Sequence, residues 1–191
     1  GRKSGVMRVL EGPVQVPHIY NQARFGNGGL AAGHEGLPHM ETAAFRGEFP
    51  FAWIRLRDRD LPLQVGIEGY SPLIPGDDVA SGLPAAFVTY RLRNRSRRGV
   101  ELQFSFNVQY PAKGDLHGHQ GRDLKGHRVA HRRQGKVAGL YFDSDLPADH
   151  PGKVSLAVVS PLAGQKADCA WFRGGWFDAL TMLTNQLAEG R

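Results

Sequence analysis

Residues 61–94 read LPLQVGIEGYSPLIPGDDVASGLPAAFVTYRLRN, and this stretch predicts the class of fold. It contains two strand patterns, over 63–70 and 86–93, on either side of a segment rich in Pro, Gly and Asp. In both patterns apolar side chains recur every second residue, which places them on one face of a β-strand. The intervening turn residues separate the two strands. The stretch indicates a β-rich domain, and it contains no evident catalytic motif.

The same alternation continues upstream of this stretch. Phe51–Arg57 alternates apolar and other side chains, and the charged residues 58–60 form a turn before Leu63–Tyr70. We predict a hairpin from this pair of strands. We also predict strands at 137–142 and 154–160, weaker strands at 6–10 and 14–20, one further candidate strand at 168–172, and a Gly-rich loop at 26–36.

The most regular strand pattern lies at 100–109. Five apolar residues alternate there with five polar ones. The polar segment 94–99 ends in Gly and has the length of a hairpin turn. We therefore predict that 100–109 pairs with 86–93, with one face on a core and the other open to water or to another domain.

The end of the chain changes to a helical period. Trp176, Leu180, Leu183 and Leu187 are spaced to lie on one face of an amphipathic helix, and Asp178 suits its first turn. Two interpretations stay open, a helix docked on the sheet and a contact to a partner domain. Together these patterns predict an all-β fold, an antiparallel two-sheet β-sandwich with one short C-terminal helix.

Composition restricts the class of protein. Hydrophobic residues make up 41% of the 191 residues, which is ordinary for a globular domain, and 25 Gly with 12 Pro favour many turns. The single cysteine, Cys169, excludes an intrachain disulfide and a cysteine-based zinc site, and its pattern predicts a buried core position. One thiol fits a reducing compartment, so we expect a cytoplasmic protein. No apolar run reaches the roughly 20 residues that a transmembrane helix needs.

The basic residues fall into two groups. The net charge is +6, and arginines cluster at 91–98, while a second group accompanies histidines in the segment 111–135. Alternate arginines on a strand are typical of a solvated face, so the sequence disfavours a nucleic-acid partner. We predict that 111–135 is a basic, His-rich loop, with a role in binding or domain contact as the alternative.

The candidate metal ligands lie in that basic loop. His117 and His119, and His127 and His131, have spacings found in metal sites, but no Cys accompanies them and the surrounding Lys and Arg would repel a cation. We therefore predict neither a metal nor another cofactor.

The carboxylates and aromatic residues give no clear catalytic site. Asp77 and Asp78 are adjacent, so their side chains diverge, and we predict exposed turn residues rather than a catalytic pair. Glu48, Glu68 and Asp178 are isolated in the sequence, and no Gly-x-Ser-x-Gly motif occurs. Four aromatic residues could stack on a sugar, although core or interface packing is the more frequent role: Trp53, Tyr70, Trp171 and Trp176.

Five segments of the chain resemble the N-terminal domain of glycoside hydrolase family 116. That family includes the non-lysosomal glucosylceramidases, also called bile acid β-glucosidases, and microbial β-glucosidases. The resemblance is strong between residues 49 and 110 and returns faintly at 154–161 and 171–187. The segments that carry it are FPFAW at 49–53, LPL at 61–63, SPLIPGDD at 71–78, SGLPAAF at 81–87 and YRLRN at 90–94.

The resemblance implies a two-sheet β-sandwich that packs on an (α/α)6 catalytic barrel. It implies retaining hydrolysis of β-glucosides, with a Glu nucleophile and an Asp acid/base that both belong to the barrel. No position of this chain matches those motifs, so we assign no catalytic, cofactor-binding or metal-binding residue here.

We therefore expect residues 1–191 to form a single β-sandwich domain, the N-terminal segment of a larger enzyme. Its expected partner is the (α/α)6 catalytic domain of the same polypeptide, and a β-glucoside or glucosylceramide-type substrate is reached through the full enzyme. Two other hypotheses remain. One is a free-standing carbohydrate-binding sandwich that uses Tyr70, Trp53 or Trp176, and the other is an anion or nucleic-acid binder that uses the arginines at 91–98 and the basic loop.

Overall fold

The computed structural model describes residues 5–13, 37–108, 126–150, 153, 155–171 and 179–189. The chain divides into two compact units, Gly1–Leu102 and Gln103–Arg191. Within the described residues no helix is long and apolar enough to cross a membrane. The elements are β1 (Thr42–Glu48), β2 (Phe51–Arg57), β3 (Leu63–Tyr70), α1 (Asp78–Ser81), β4 (Phe87–Asn94), β5 (His127–Gln134), β6 (Val137–Ser144), β7 (Leu156–Ser160) and α2 (Ala179–Ala188).

The predicted all-β class is confirmed, with the two antiparallel sheets that a β-sandwich requires. The first unit contains a four-stranded sheet in the order β1-β2-β3-β4. The hairpin of β2 and β3 forms as predicted, with Leu56 directly opposite Val65. β4 agrees with the predicted strand to within one residue. β1 was not predicted, because all its residues are exposed and its sequence, TAAFRGE, therefore needs no alternation of apolar and polar side chains.

The core of the first unit lies on one face of this sheet. Met40, Leu56 and Val65 are fully buried, and part-buried leucines and isoleucines surround them. The N-terminal segment closes this core by pairing with the residues around Met40. Val9 N donates to the carbonyl oxygen of Pro38 over 2.9 Å, and Met40 N donates to that of Glu11 over 3.1 Å. The strand predicted at 6–10 is reduced to one parallel bridge between Val9 and His39.

An ion pair anchors the N-terminal segment to the turn between β2 and β3. Arg8 Nε donates to Asp58 Oδ2 over 2.7 Å, and Arg8 Nη2 donates to Asp60 Oδ2 over 2.9 Å. The Asp58 side chain is only 4% exposed, so this carboxylate is largely removed from water. The hydrogen bond from the Arg8 guanidinium lowers the pKa of Asp58 below its ordinary value. The charged turn predicted at 58–60 therefore also joins two parts of the unit.

The prediction of a strand at 100–109 is wrong for the residues that the structure describes, 100–108. Residues 100–108 form no strand, and β4 pairs with β3. Arg95 N donates to the carbonyl oxygen of Pro62 over 2.7 Å. This bond holds the residue after β4 beside the start of β3, so the chain does not turn back to pair with β4. Alternation shows which side chains could share a face, but it does not specify the strand that they pair with.

The polar turn that was expected to close this hairpin is nevertheless present. The Asn94 side chain accepts a hydrogen bond from Ser96 N over 2.8 Å and donates one to the Arg98 carbonyl oxygen over 2.7 Å. Such local bonds from Asn are typical of turns and need no second strand. The turn chemistry of the segment was therefore recognised correctly, whereas its consequence for strand pairing was not.

The second unit contains a three-stranded antiparallel sheet with β6 in the centre. β6 and β7 agree with the strands predicted from residues 137 and 154, although Val154 itself is outside the described residues. Among the described residues of this unit, β6 supplies the buried side chains, Ala138, Phe142 and Ser144.

β5 corrects the prediction of a loop at 111–135. His127–Gln134 is a regular strand, paired with β6 from end to end. The sequence HRVAHRRQ does not indicate this strand, because an edge strand with solvated side chains needs no alternation of apolar residues. Residues 111–125 lie outside the described part of the chain.

Three further predictions fall in the second unit. Residues 168–171 form no strand, and Cys169 is exposed, so both the strand and the buried position were wrong. The C-terminal helix is confirmed as α2, and its Leu180, Leu183 and Leu187 are half-buried on one face. Trp176 and Asp178 lie outside the described residues. So do two predictions for the first unit, the strand at 14–20 and the loop at 26–36.

Replacing the central side chain of the first core should destabilise that unit. Leu56→Ala removes a fully buried side chain and leaves a cavity, so we expect a loss of about 2–5 kcal/mol in the free energy of unfolding. Phe45→Ala is the matched control, since Phe45 is 73% exposed on the neighbouring strand, and it should change this free energy by about 0.5 kcal/mol or less. Urea unfolding followed by circular dichroism measures both, and equal losses would contradict the assignment of the core.

The Arg8–Asp58 pair should make stability depend on acid pH. Because the pKa of Asp58 is lower in the folded chain than in the unfolded chain, its contribution is complete above about pH 4 and declines as the pH falls toward the lowered pKa. We expect Asp58→Asn to lower the thermal midpoint at pH 7 and to lower it less at pH 3. Asp149→Asn, at an exposed position, is the control. A deficit of Asp58→Asn that stays constant with pH would contradict this role.

Candidate functional site

Aromatic side chains form a row across the sheet face opposite the first core. Phe51 pairs in register with Tyr70, and Tyr70 pairs with Phe87, so three adjacent strands each contribute one ring. The ring centroids of Phe51 and Tyr70 are 5.5 Å apart, and those of Tyr70 and Phe87 are 5.0 Å apart. Phe51 is 41% exposed and Phe87 50% exposed. The row is thus an apolar surface that the described chain leaves in contact with water.

A neighbouring row holds Trp53 in a fixed orientation. Its Nε1 donates to Glu68 Oε2 over 3.1 Å, and the Arg46 guanidinium lies 5.6 Å from the ring centroid, within the range of a cation–π contact. Phe51 stacks beside the ring with a centroid separation of 5.7 Å. Arg91 Nη2 lies 3.6 Å from Glu68 Oε2 and balances its charge. Trp53 is therefore half-buried on this face by its own neighbours.

The Pro-rich turn extends the aromatic row into a groove. Pro50, Phe51, Tyr70, Phe87 and the loop 71–75 line a shallow concavity of about 530 Å³, which we call the aromatic groove. Ile74, whose side chain is 51% exposed, belongs to the loop wall.

Local hydrogen bonds hold this loop in shape. Ser81 Oγ accepts from Ile74 N over 2.9 Å, and Asp77 N donates to the Ile74 carbonyl oxygen over 3.0 Å. Gly76 has φ of +86°, a conformation that glycine adopts readily. Asp77 then caps α1, because its side chain accepts from Ala80 N over 2.8 Å. The groove wall is therefore an ordered part of the unit.

The chemistry of the groove suits packing better than recognition of a polar ligand. Among its lining side chains only those of Tyr70 and Ser71 carry hydrogen-bonding groups. A sugar site needs several such groups to orient the hydroxyls, whereas a protein surface needs mainly apolar area and shape.

The acidic candidates have structural contacts in this unit. Asp77 and Asp78 are exposed, as predicted, and Asp77 is a helix cap. Glu48 bonds Arg46, and Glu68 bonds Trp53 and Arg91. Asp178 lies outside the described residues. That the chain carries no catalytic residue remains a prediction.

The histidine pairs divide between described and undescribed parts of the chain. His127 and His131 both lie on β5. Four residues along a strand span about 13 Å, which is too far for both side chains to bind one metal ion. Within the described residues no group of three or more His, Cys, Asp or Glu could hold a metal. His117 and His119 are outside this part of the chain.

A second concavity lies at the other end of the same sheet face. Arg57, Gln64 and Arg93 form one row across β2, β3 and β4, and Asn94 and Arg95 follow on the turn. These five residues line a polar concavity of about 530 Å³, which we call the arginine cradle. The arginines at 91–98 are visible as a cluster in the sequence, whereas Arg57 and Gln64 join them only through strand pairing.

The fold and the aromatic groove define a β-rich domain with an exposed apolar surface. Residues 8–185 match the family model described as beta-glucosidase 2, glycosyl-hydrolase family 116 N-term. The chain therefore belongs to this family of glycoside hydrolase N-terminal domains, as the sequence resemblance indicated. A comparison with curated proteins finds no match.

The contacts of Glu68 should stabilise the aromatic face. Glu68→Ala removes the acceptor of Trp53 Nε1 and the partner of Arg91, and we expect it to lower the free energy of unfolding by about 1–2 kcal/mol. Glu68→Gln keeps an oxygen acceptor and should lose less. Chemical denaturation measures both variants, and equal losses would show that the hydrogen bond to Trp53 contributes little.

Proposed function

We propose that this chain is the non-catalytic N-terminal domain of a retaining β-glucosidase or glucosylceramidase-like enzyme. In this proposal it supports an (α/α)6 catalytic domain of the same polypeptide. The membership of family 116 and the all-β fold support it. The observation that carries it furthest is the aromatic groove, an ordered apolar concavity whose walls are open to water.

Burial of the groove would supply the free energy for docking. Fully burying one large apolar side chain contributes roughly 1.5–3 kcal/mol, and Phe51, Ile74 and Phe87 are each between 41% and 51% exposed. A contiguous apolar patch of this kind typically marks an interface. The groove is also ordered by its own hydrogen bonds, so little conformational entropy is lost when a partner covers it.

The carbohydrate-binding alternative has less support from the described residues. Its three candidate aromatics are Tyr70, Trp53 and Trp176. Phe87 stacks on Tyr70, and Arg46 and Phe51 lie against Trp53, so neither ring offers a free platform for a sugar. Trp176 lies outside the described part of the chain.

The docking proposal is tested in the full-length enzyme that contains this domain. Ile74→Gln and Phe87→Gln place polar groups at exposed positions of the groove, so the domain itself should fold normally. We expect both variants to lose β-glucosidase activity faster on heating than the unaltered enzyme. We also expect their thermal unfolding curves to show a separate transition for each of the two domains. Leu162→Gln is the matched control because Leu162 is 67% exposed in the second unit, away from the groove residues in sequence.

The 191-residue chain alone should hydrolyse no aryl β-glucoside. Robust turnover by the purified chain would overturn the non-catalytic assignment. An unchanged inactivation rate in both groove variants would overturn the docking role instead, so the two parts of the proposal fail separately.

A further inference from the structure

The arginine cradle holds three cationic groups that the described residues leave without an acidic partner. Arg57, Arg93 and Arg95 are exposed, and among the described residues no carboxylate lies within ion-pair distance of any of them. The pairing of β2 and β4 with the two edges of β3 places Arg57 and Arg93 on either side of Gln64, with backbones about 10 Å apart. The cluster is a product of strand register.

Five acidic side chains among the described residues of the same unit bond other cations. They therefore do not neutralise the cradle, and its positive charge adds to that of Arg55 in the next row of the sheet. The pairs are Arg8 with Asp58 and Asp60, Arg59 with Glu41, Arg46 with Glu48, and Arg91 with Glu68.

Backbone and turn contacts fix the position of the third arginine. Arg95 N donates to the Pro62 carbonyl oxygen over 2.7 Å, and Asn94 accepts from Ser96 N over 2.8 Å. The turn is thereby tied to the start of β3. Arg95 consequently follows the strand row closely enough to line the same concavity as Arg57.

We propose that the arginine cradle binds a small oxyanion with two or more negative charges, of the phosphate or diphosphate class. A guanidinium presents a planar fork of N–H groups that matches two oxygens of a phosphate group. Three such groups around a polar concavity, with the amide of Gln64 as a further donor, suit a compact ligand with several charged oxygens. The concave shape favours a small ligand over a nucleic acid, which binds along an extended basic surface.

This inference is independent of the proposed docking role. Gln64 in the cradle and Tyr70 in the aromatic groove are six residues apart on β3, or about 20 Å. The two concavities share no lining residue. A ligand in the cradle therefore leaves the groove residues uncovered, and each assignment is tested by its own variants.

Calorimetric titration of the 191-residue chain with inorganic pyrophosphate at low salt tests the site. We expect saturable binding that weakens as salt rises, and at least a tenfold loss of affinity in Arg57→Gln and Arg93→Gln. Arg93→Lys keeps the charge but loses the fork, so it should also bind more weakly than the natural chain. Arg133→Gln, at an exposed position of β5, is the matched control and should change affinity less than twofold.

Three results would overturn the proposal. The first is no binding of pyrophosphate by the natural chain. The second is an equal loss of affinity in Arg133→Gln and the cradle variants, which would indicate diffuse charge attraction. The third is binding to vesicles of phosphatidic acid with none to pyrophosphate, which would indicate a membrane surface in place of a small-ligand site. Circular dichroism of each variant without ligand establishes that a loss of binding is not a loss of fold.

Discussion

The direct pairing of Leu56 with Val65 is the contact on which the first unit depends. Both side chains are buried, and they lie opposite each other in the centre of the hairpin of β2 and β3. Because side chains alternate along a strand, a slip of β2 by one residue against β3 would turn Leu56 toward water and bring Trp53 to the core face. The free-energy cost of exposing the core therefore fixes the register of the hairpin. The register in turn determines which side chains lie next to each other on the opposite face.

That opposite face has two chemically different ends. At one end the Pro-rich loop and the aromatic row form an apolar groove, and at the other end arginines surround a polar concavity. Trp53 and Glu68 lie in a row between the two ends, where Glu68 bonds the indole nitrogen and pairs with Arg91. One sheet thus carries two separate concavities of different chemistry on the same face.

Parts of this arrangement could be predicted from the sequence, because a strand with one buried face has an apolar side chain at every second position. β2, β3 and β6 have buried or half-buried side chains on one face, and their bounds were predicted closely. β1 and β5 are strands with mostly exposed side chains, so their sequences lack this apolar alternation, and neither strand was predicted. Tyr70 was recognised as a candidate, but the groove also needs Phe51 and Phe87, which only strand pairing brings beside Tyr70.

The sequence by itself determined the all-β class, the central hairpin, the C-terminal helix and the family. These follow from periodicity and turn chemistry, which act over a few residues, and from motifs at fixed spacing. Tertiary structure alone determined that residues 100–108 form no strand, that Cys169 is exposed, and that Arg57 joins Arg93. The physical reason is the same in each case. Alternation specifies which side chains share a face, whereas the choice of neighbouring strand depends on contacts between residues far apart in the chain.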